Sequence, residues 1–278
     1  MDSKKRKFKL YILLVVVVTL VSYVILFTLF WGVLGVALVT LAGIWIAFII
    51  SLSKVLILAL MSFYIFRRWF KQDAIFTSDA YFLFGTFFWI LVAGKILDIF
   101  WNLGYVGSVF DLNYLLFLLK IRFAIVILTI VPILFVGLEA ILTFVNLYKK
   151  KEMSKNQFNK IRKEIIIIYI LILAVLTILA PSVPFMNIML PFVSLPMFLF
   201  IAIMFIYMYK NKYLSQAHGL IIGLSFLLLI AATLIRSILS EYAFKTLDAF
   251  PIIIAEFIDI GIYILMFIGF ITTPSYSK

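Results

Sequence analysis

The run AYFLFGTFFWILVAGKILDIFWN, residues 80–102, contains only two charged side chains, Lys95 and Asp98. A hydrocarbon core about 30 Å thick takes about 20 helical residues to cross, so this segment is long enough to span a bilayer. It lacks the polar–apolar alternation of a barrel strand. In lipid every backbone group must find its hydrogen bond within the protein, and the segment therefore reads as a transmembrane helix. Its two charges pose the functional question, because an ionised group inside a span is costly and normally pairs, faces a cavity or serves a pathway.

The rest of the chain repeats the pattern. Its 278 residues are 66% hydrophobic and 13% charged, with a mean hydropathy of +1.24, against about 25% charged residues in an ordinary soluble domain. A soluble fold is excluded. The expected architecture is all-α: a polytopic transmembrane helical bundle in which residues 1–278 form a single integral membrane domain. Eight spans are expected, over 8–30, 36–66, 80–102, 113–148, 165–180, 191–209, 219–240 and 251–272. Only the Phe30-Trp31-Gly32 region separates the first two, and merging them gives seven. The second and fourth runs exceed the bilayer requirement and must tilt, kink or project; Pro132 is the expected kink in the fourth. The basic N-terminus looks like the charged region of a signal peptide. No Ala-x-Ala-like site follows, and the apolar run is too long for a signal core, so a retained first span is expected.

Lysine and arginine set the orientation, because cytoplasmic loops are enriched in them. Lys4, Lys5, Arg6, Lys7 and Lys9 precede span one. Arg67, Arg68 and Lys71 follow span two, a run from Lys149 to Lys163 follows span four, and Lys210 and Lys212 follow span six. The alternate loops carry Lys245. Both termini are therefore expected in the cytoplasm of a cell-membrane protein. The net charge of +12 is accounted for by these topogenic residues and their attraction for anionic headgroups, with no nucleic-acid partner. Spans one to four and five to eight share an orientation, which allows a 4+4 parallel repeat over 8–148 and 165–272. In that alignment Ile90-Leu-Val-Ala-Gly-Lys-Ile-Leu-Asp98 faces Leu228-Leu-Ile-Ala-Ala-Thr-Leu-Ile-Arg236.

Four pairs of charges fall in the outer third of the expected spans: Lys95 with Asp98, Lys120 with Arg122, Arg236 with Glu241, and Glu256 with Asp259. Lys95 and Asp98 are three apart, as are Glu256 and Asp259, so each pair shares a helix face and can point into the bundle. Thr233, Arg236, Ser237 and Ser240 form one polar stripe. Lys120 and Arg122 are two apart and diverge; one is expected to snorkel, and Arg122 is the inward choice. The ligand-binding or charge-network candidates are thus Lys95, Asp98, Arg122, Arg236, Glu256 and Asp259. Toward the cytoplasmic half, Ser51 and Lys54 share one face, and Glu139, Thr143 and Asn146 another. Lys54 and Glu139 are candidates for an inner pair, acting as a structural tie or as a relay or gate. The proline-rich segment 181–191 is expected to be a turn or lid over the outer pocket. Trp69, Trp101, Tyr105, Tyr114 and Tyr209 are expected as interfacial anchors.

Catalytic signatures are missing. The absence of cysteine rules out thiolate chemistry, and a single histidine, His218, argues against zinc. There is no Gly-x-Ser-x-Gly nucleophile, no phosphate loop and no Asp-rich diphosphate site. The expectation is no enzyme, no cofactor and no metal.

In span count, short loops and the motif Phe88-Trp-Ile-Leu-Val-Ala-Gly-Lys95 followed by the helix from Lys120 to Glu139, the chain resembles the multi-pass sensory input modules of some prokaryotic histidine kinases. It also resembles stand-alone polytopic membrane proteins of bacteria and archaea. Residues 1–278 hold no kinase or phosphoacceptor segment, so no functional residue is expected to carry over. The resemblance implies ligand sensing. Three functions stay open: binding or sensing of a small or lipid-derived ligand through the outer polar cluster, secondary transport or ion permeation, and a structural role with a membrane-protein partner.

Overall fold

The computed structural model describes residues 2–40, 42–106, 110–148, 154–246 and 248–277. Among them the chain is helical without strands. The helices are α1 Asp2–Leu29, α2 Trp31–Thr40, α3 Ile44–Phe70, α4 Ala80–Val106, α5 Leu112–Tyr148, α6 Lys155–Leu179, α7 Val183–Lys210, α8 Gly219–Thr246 and α9 Phe250–Ile271. Six helical stretches, in α1, α3, α4, α5, α8 and α9, are long and apolar enough to cross a bilayer. The protein is a membrane-embedded helical bundle.

Packing between neighbours closes a ring. α3 lies on α4, α4 on α5, α5 on α7, α7 on α8, α8 on α9, and α9 returns to α3. α6 packs outside on α5, α2 packs against α3 and α4, and α1 is the outermost element. α1 is pinned by the Tyr23 hydroxyl, which donates to the Ala93 carbonyl at 2.6 Å. Its outward Leu, Val and Ile side chains, like those of α6, are exposed, as expected of surfaces that face acyl chains.

Local chemistry sets the helix boundaries. Gly43 sits in the left-handed region, φ 74°, where a Cβ is disfavoured, and it separates α2 from α3. The expected single run over 36–66 is therefore two helices. The Ser154 hydroxyl accepts from the Gln157 amide while the Gln157 side chain accepts from the Ser154 amide, a capping box. α6 consequently starts ten residues before the expected span. Ser182 caps α7, accepting from Phe185 N at 3.4 Å, and Pro184 occupies the first turn, where its missing N–H is harmless. The expected turn or lid over 181–191 is thus mostly the first turns of α7. Pro132 lies inside α5.

The basic residues gather at one end of the ring. Lys5 Nζ donates to the Gln72 carbonyl at 2.6 Å, Arg68 donates to the Ile271 carbonyl at 3.0 Å, and His218 N donates to the Gly269 carbonyl at 2.7 Å. The opposite end is joined by Ala249 N donating to the Ala42 carbonyl at 3.0 Å. Trp69 and Trp101 are buried inside the protein instead of turned to its surface. The Trp69 indole donates to Phe76 O and the Asp79 carboxylate at 3.2 and 3.1 Å, tying the end of α3 to the start of α4.

The basic half of the ring is filled by a hydrophobic cluster that includes Phe84, Phe88, Phe205, Phe226 and Phe270, each buried. Helices approach closely there through glycine, as in other membrane bundles. A Cβ on Gly223 would stand 2.9 Å from the Ala202 carbonyl oxygen and 2.5 Å from Ile206 Cγ1, whereas one on Gly261 would meet open space. Gly223→Val is expected to destabilise the detergent-purified protein by about 1–3 kcal/mol, and Gly261→Ala to leave it unchanged. Thermal unfolding checks both; equal losses would contradict the close α7–α8 approach.

Candidate functional site

Five of the six ring helices send charged side chains to one place. Lys54 comes from α3, Lys95 and Asp98 from α4, Arg122 from α5, Arg236 from α8, and Glu256 and Asp259 from α9. Lys54 is ion-paired with Glu256, and its Nζ lies 3.3 Å from Asp259 Oδ2. Arg236 Nη2 donates to Glu256 Oε1 at 2.9 Å and to Asp259 Oδ2 at 2.5 Å. Lys95 Nζ donates to Asp98 Oδ2 at 3.1 Å and lies 4.0 Å from Asp259 Oδ2. Arg122 Nε pairs with Asp98 Oδ1. The contacts form one continuous network with Asp259 at its centre, touched by Lys54, Lys95 and Arg236 together.

The sequence expectations meet this geometry unevenly. Lys95, Asp98, Arg122, Arg236, Glu256 and Asp259 all enter the network. Arg236 turns to the carboxylates of α9 instead of to Glu241, which pairs with Lys245 on its own helix at 2.6 Å. Lys120 leaves the network and donates to the Ile178 carbonyl at 2.8 Å, fastening α5 to the end of α6.

The inner pair is corrected. Lys54 does not meet Glu139. Because Gly43 starts α3 at Ile44, Lys54 sits about 15 Å from that end and about 24 Å from Phe70, at 1.5 Å per residue. That depth delivers it to the network. Glu139 instead accepts from Arg162 at 2.9 Å. The Arg162 guanidinium also donates to the Asn159 side chain at 2.8 Å and stacks over the Phe135 ring at 3.7 Å. The side chains of Thr143 and Asn146, expected on the Glu139 stripe, lie outside the described residues.

Two cavities meet at the network. The outer one, about 480 Å³, is lined by Ser51, Trp101, Arg122, Arg236, Ser240 and Ile252 among others, a size in the usual small-molecule range of about 300–1,000 Å³. A deeper one of about 140 Å³ is bounded by Lys95, Asp98, Asp259, Tyr263 and phenylalanines. Arg122, Thr233 and Arg236 line both. Lys54, Glu256 and Asp259 are buried, whereas the Arg122 and Arg236 side chains remain 23% and 22% exposed. The network thus has a sealed side and an arginine-bearing side that opens to the outer cavity.

Sequence reasoning placed Trp101 among the interfacial anchors and not in the site. It is buried, its ring stacks on Tyr105 with centroids 5.0 Å apart, and the Arg122 guanidinium lies 5.7 Å over it. The only signal for it was its position three residues beyond Asp98 on the same helix face.

Lys54→Met is expected to destabilise the protein by about 3–5 kcal/mol, because it leaves buried carboxylates short of a cation. Lys54→Met combined with Glu256→Gln should lose less than the sum of the two single variants, and Lys120→Gln should change stability little. Thermal unfolding of the purified variants measures all four; additive losses for the pair would contradict the observed contact.

No protein-family model matches the chain, nor does any curated protein or solved structure.

Proposed function

We propose that this protein is a multi-pass membrane receptor-like binding protein, which takes a small or lipid-derived ligand into the outer cavity and reads its presence through the charge network. The observation that carries the reading is the asymmetry of the network. Its carboxylates and Lys54 are sealed, but its two arginines face a cavity of ligand size. Stability alone is a poor reason to keep such a cluster, since packed apolar residues of similar volume are often as stabilising as a buried ionic group.

The proposed topology has eight crossings, α1 and α3 to α9, with α2 as a short outer element. The end bearing Lys5, Arg68, Lys71 and Lys210 lies in the cytoplasm against anionic headgroups, which puts both termini there and the outer cavity on the far side of the cell membrane. The basic half favours binding over transport: it is filled by packed phenylalanine rings, with helices in close contact at Gly85, Gly219, Gly223 and Gly269. One feature favours the transport reading, namely the deeper cavity that shares Arg122, Thr233 and Arg236 with the outer one. No catalytic step is proposed.

The cysteine-free chain suits a direct test of sidedness. A membrane-impermeant thiol reagent added outside intact cells should label Ser240→Cys and leave Ser225→Cys and Lys71→Cys unlabelled; labelling of Lys71→Cys from outside would reverse the topology. For function, a metabolite and lipid panel should contain compounds that raise the melting temperature of the wild type but not of Ser240→Trp, in which the cavity is filled. Gradient-dependent uptake of the same compound into proteoliposomes would replace the binding reading with transport.

A further inference from the structure

Resting on the proposed role of the outer cavity as a ligand site, we infer that its ligand presents an oxyanion, a phosphate or carboxylate group, to Arg122, Arg236 and Trp101.

Charge balance comes first. The network joins four cations, Lys54, Lys95, Arg122 and Arg236, to three carboxylates, Asp98, Glu256 and Asp259. Glu241, which also lines the outer cavity, is matched by Lys245. With every group ionised the network is one positive charge in excess. An unmatched cation within a membrane bundle is costly, and a monoanionic group removes the imbalance.

Donor geometry points the same way. Arg122 reaches Asp98 through Nε, and Arg236 reaches Glu256 and Asp259 through Nη2. Arginine carries five N–H donors in a planar fork. The other guanidinium nitrogens of both residues make no hydrogen bond among the described residues, while both side chains border the cavity. Arginine forks suit phosphate and carboxylate recognition through paired, charge-assisted hydrogen bonds.

Trp101 supplies an independent observation. It is 7% exposed, it borders the outer cavity, and its indole Nε1, itself shielded from solvent, has no hydrogen-bond partner among the described residues. Indole nitrogen is a donor only, and a buried donor without an acceptor carries a desolvation penalty. The group that relieves it must accept a hydrogen bond. With Arg122 stacked over the same ring, the wall offers donors and positive charge together, a combination that suits an oxyanion and repels a cation. Ile44, Ala47, Phe48 and Ile252 form the apolar part of the cavity, which can accommodate a hydrocarbon chain on the ligand.

The test uses the full chain in nanodiscs of phosphatidylcholine, titrated with octyl phosphate, inorganic phosphate, octyltrimethylammonium and octyl glucoside, with melting temperature and calorimetric affinity as readouts. Saturable binding of octyl phosphate is expected, weakened by about tenfold or more in Arg122→Gln, as for loss of a hydrogen bond between charged groups, and measurably weakened in Trp101→Phe. The second variant keeps an aromatic ring beside Tyr105 but loses the pyrrole part of the indole together with its N–H, so its melting temperature without ligand is compared with that of the wild type to separate a packing loss from a binding loss. Equal binding of inorganic phosphate supports the oxyanion and assigns it to a free solute; binding of octyl phosphate alone assigns it to an amphiphile. Preferential binding of the ammonium or the glucoside, abolished by Ser240→Trp, would overturn the oxyanion while leaving the cavity as a ligand site. Failure of every probe to bind would overturn both.

Discussion

Transferring an ionised side chain from water to a low-dielectric interior carries a penalty of several kcal/mol even after relaxation, and mutual attraction offsets it only with close, well-partnered contacts. Seven ionisable side chains in one membrane bundle, from Lys54 to Asp259, are bound by that condition. No single helix could meet it. Lys54 on α3 needs the carboxylates of α9, those carboxylates need Arg236 of α8, and Asp98 of α4 needs Arg122 of α5. The requirement for partners brings five helices to one point, and the order of the ring follows from it together with the inner hydrophobic packing.

The two halves of the ring consequently differ in material. Toward the basic end, aromatic side chains and glycine contacts give dense apolar packing; Phe84 and Phe270 stack with centroids 3.9 Å apart. Toward the other end a second apolar core, with Phe100, Leu119 and Phe123 buried, packs between α4 and α5, and the cavity opens beside it among long charged side chains and the polar stripe on α8. Under the proposed function, the cavity end is the one that responds to a ligand. A small change in the position of Arg236 acts on α9 through two carboxylates at once, and from there on α3 through Lys54. Under the proposed function, that chain of contacts is the route from an occupied cavity to the rest of the bundle.

Much of this was legible in the sequence, for stated reasons. Apolar run lengths marked membrane helices, since hydrocarbon thickness fixes a minimum length. The three-residue spacings of Lys95/Asp98 and Glu256/Asp259 placed each pair on one face, and the divergence of Lys120 from Arg122 sent one to the network and one to Ile178. What escaped depended on backbone chemistry or on distant parts of the chain. The left-handed turn at Gly43 shifted the depth of Lys54 and changed its partner from Glu139 to the α9 carboxylates. Glu139 then found Arg162, in a segment that the Ser154 capping box drew into α6 ahead of the apolar run. The indole of Trp101, without a hydrogen-bond partner among the described residues, becomes visible only when the neighbours around it are known.

The central claim is that the network acts as one electrostatic unit across helices, and a double-mutant cycle on Arg236 and Glu256 tests it most directly. Melting temperatures and unfolding free energies of Arg236→Ala, Glu256→Ala and the double variant would be compared in one lipid environment. Coupling of about 1 kcal/mol or more, well above the scatter of about 0.3–0.5 kcal/mol for independent sites, is the predicted result. Additive effects within that scatter would contradict the account.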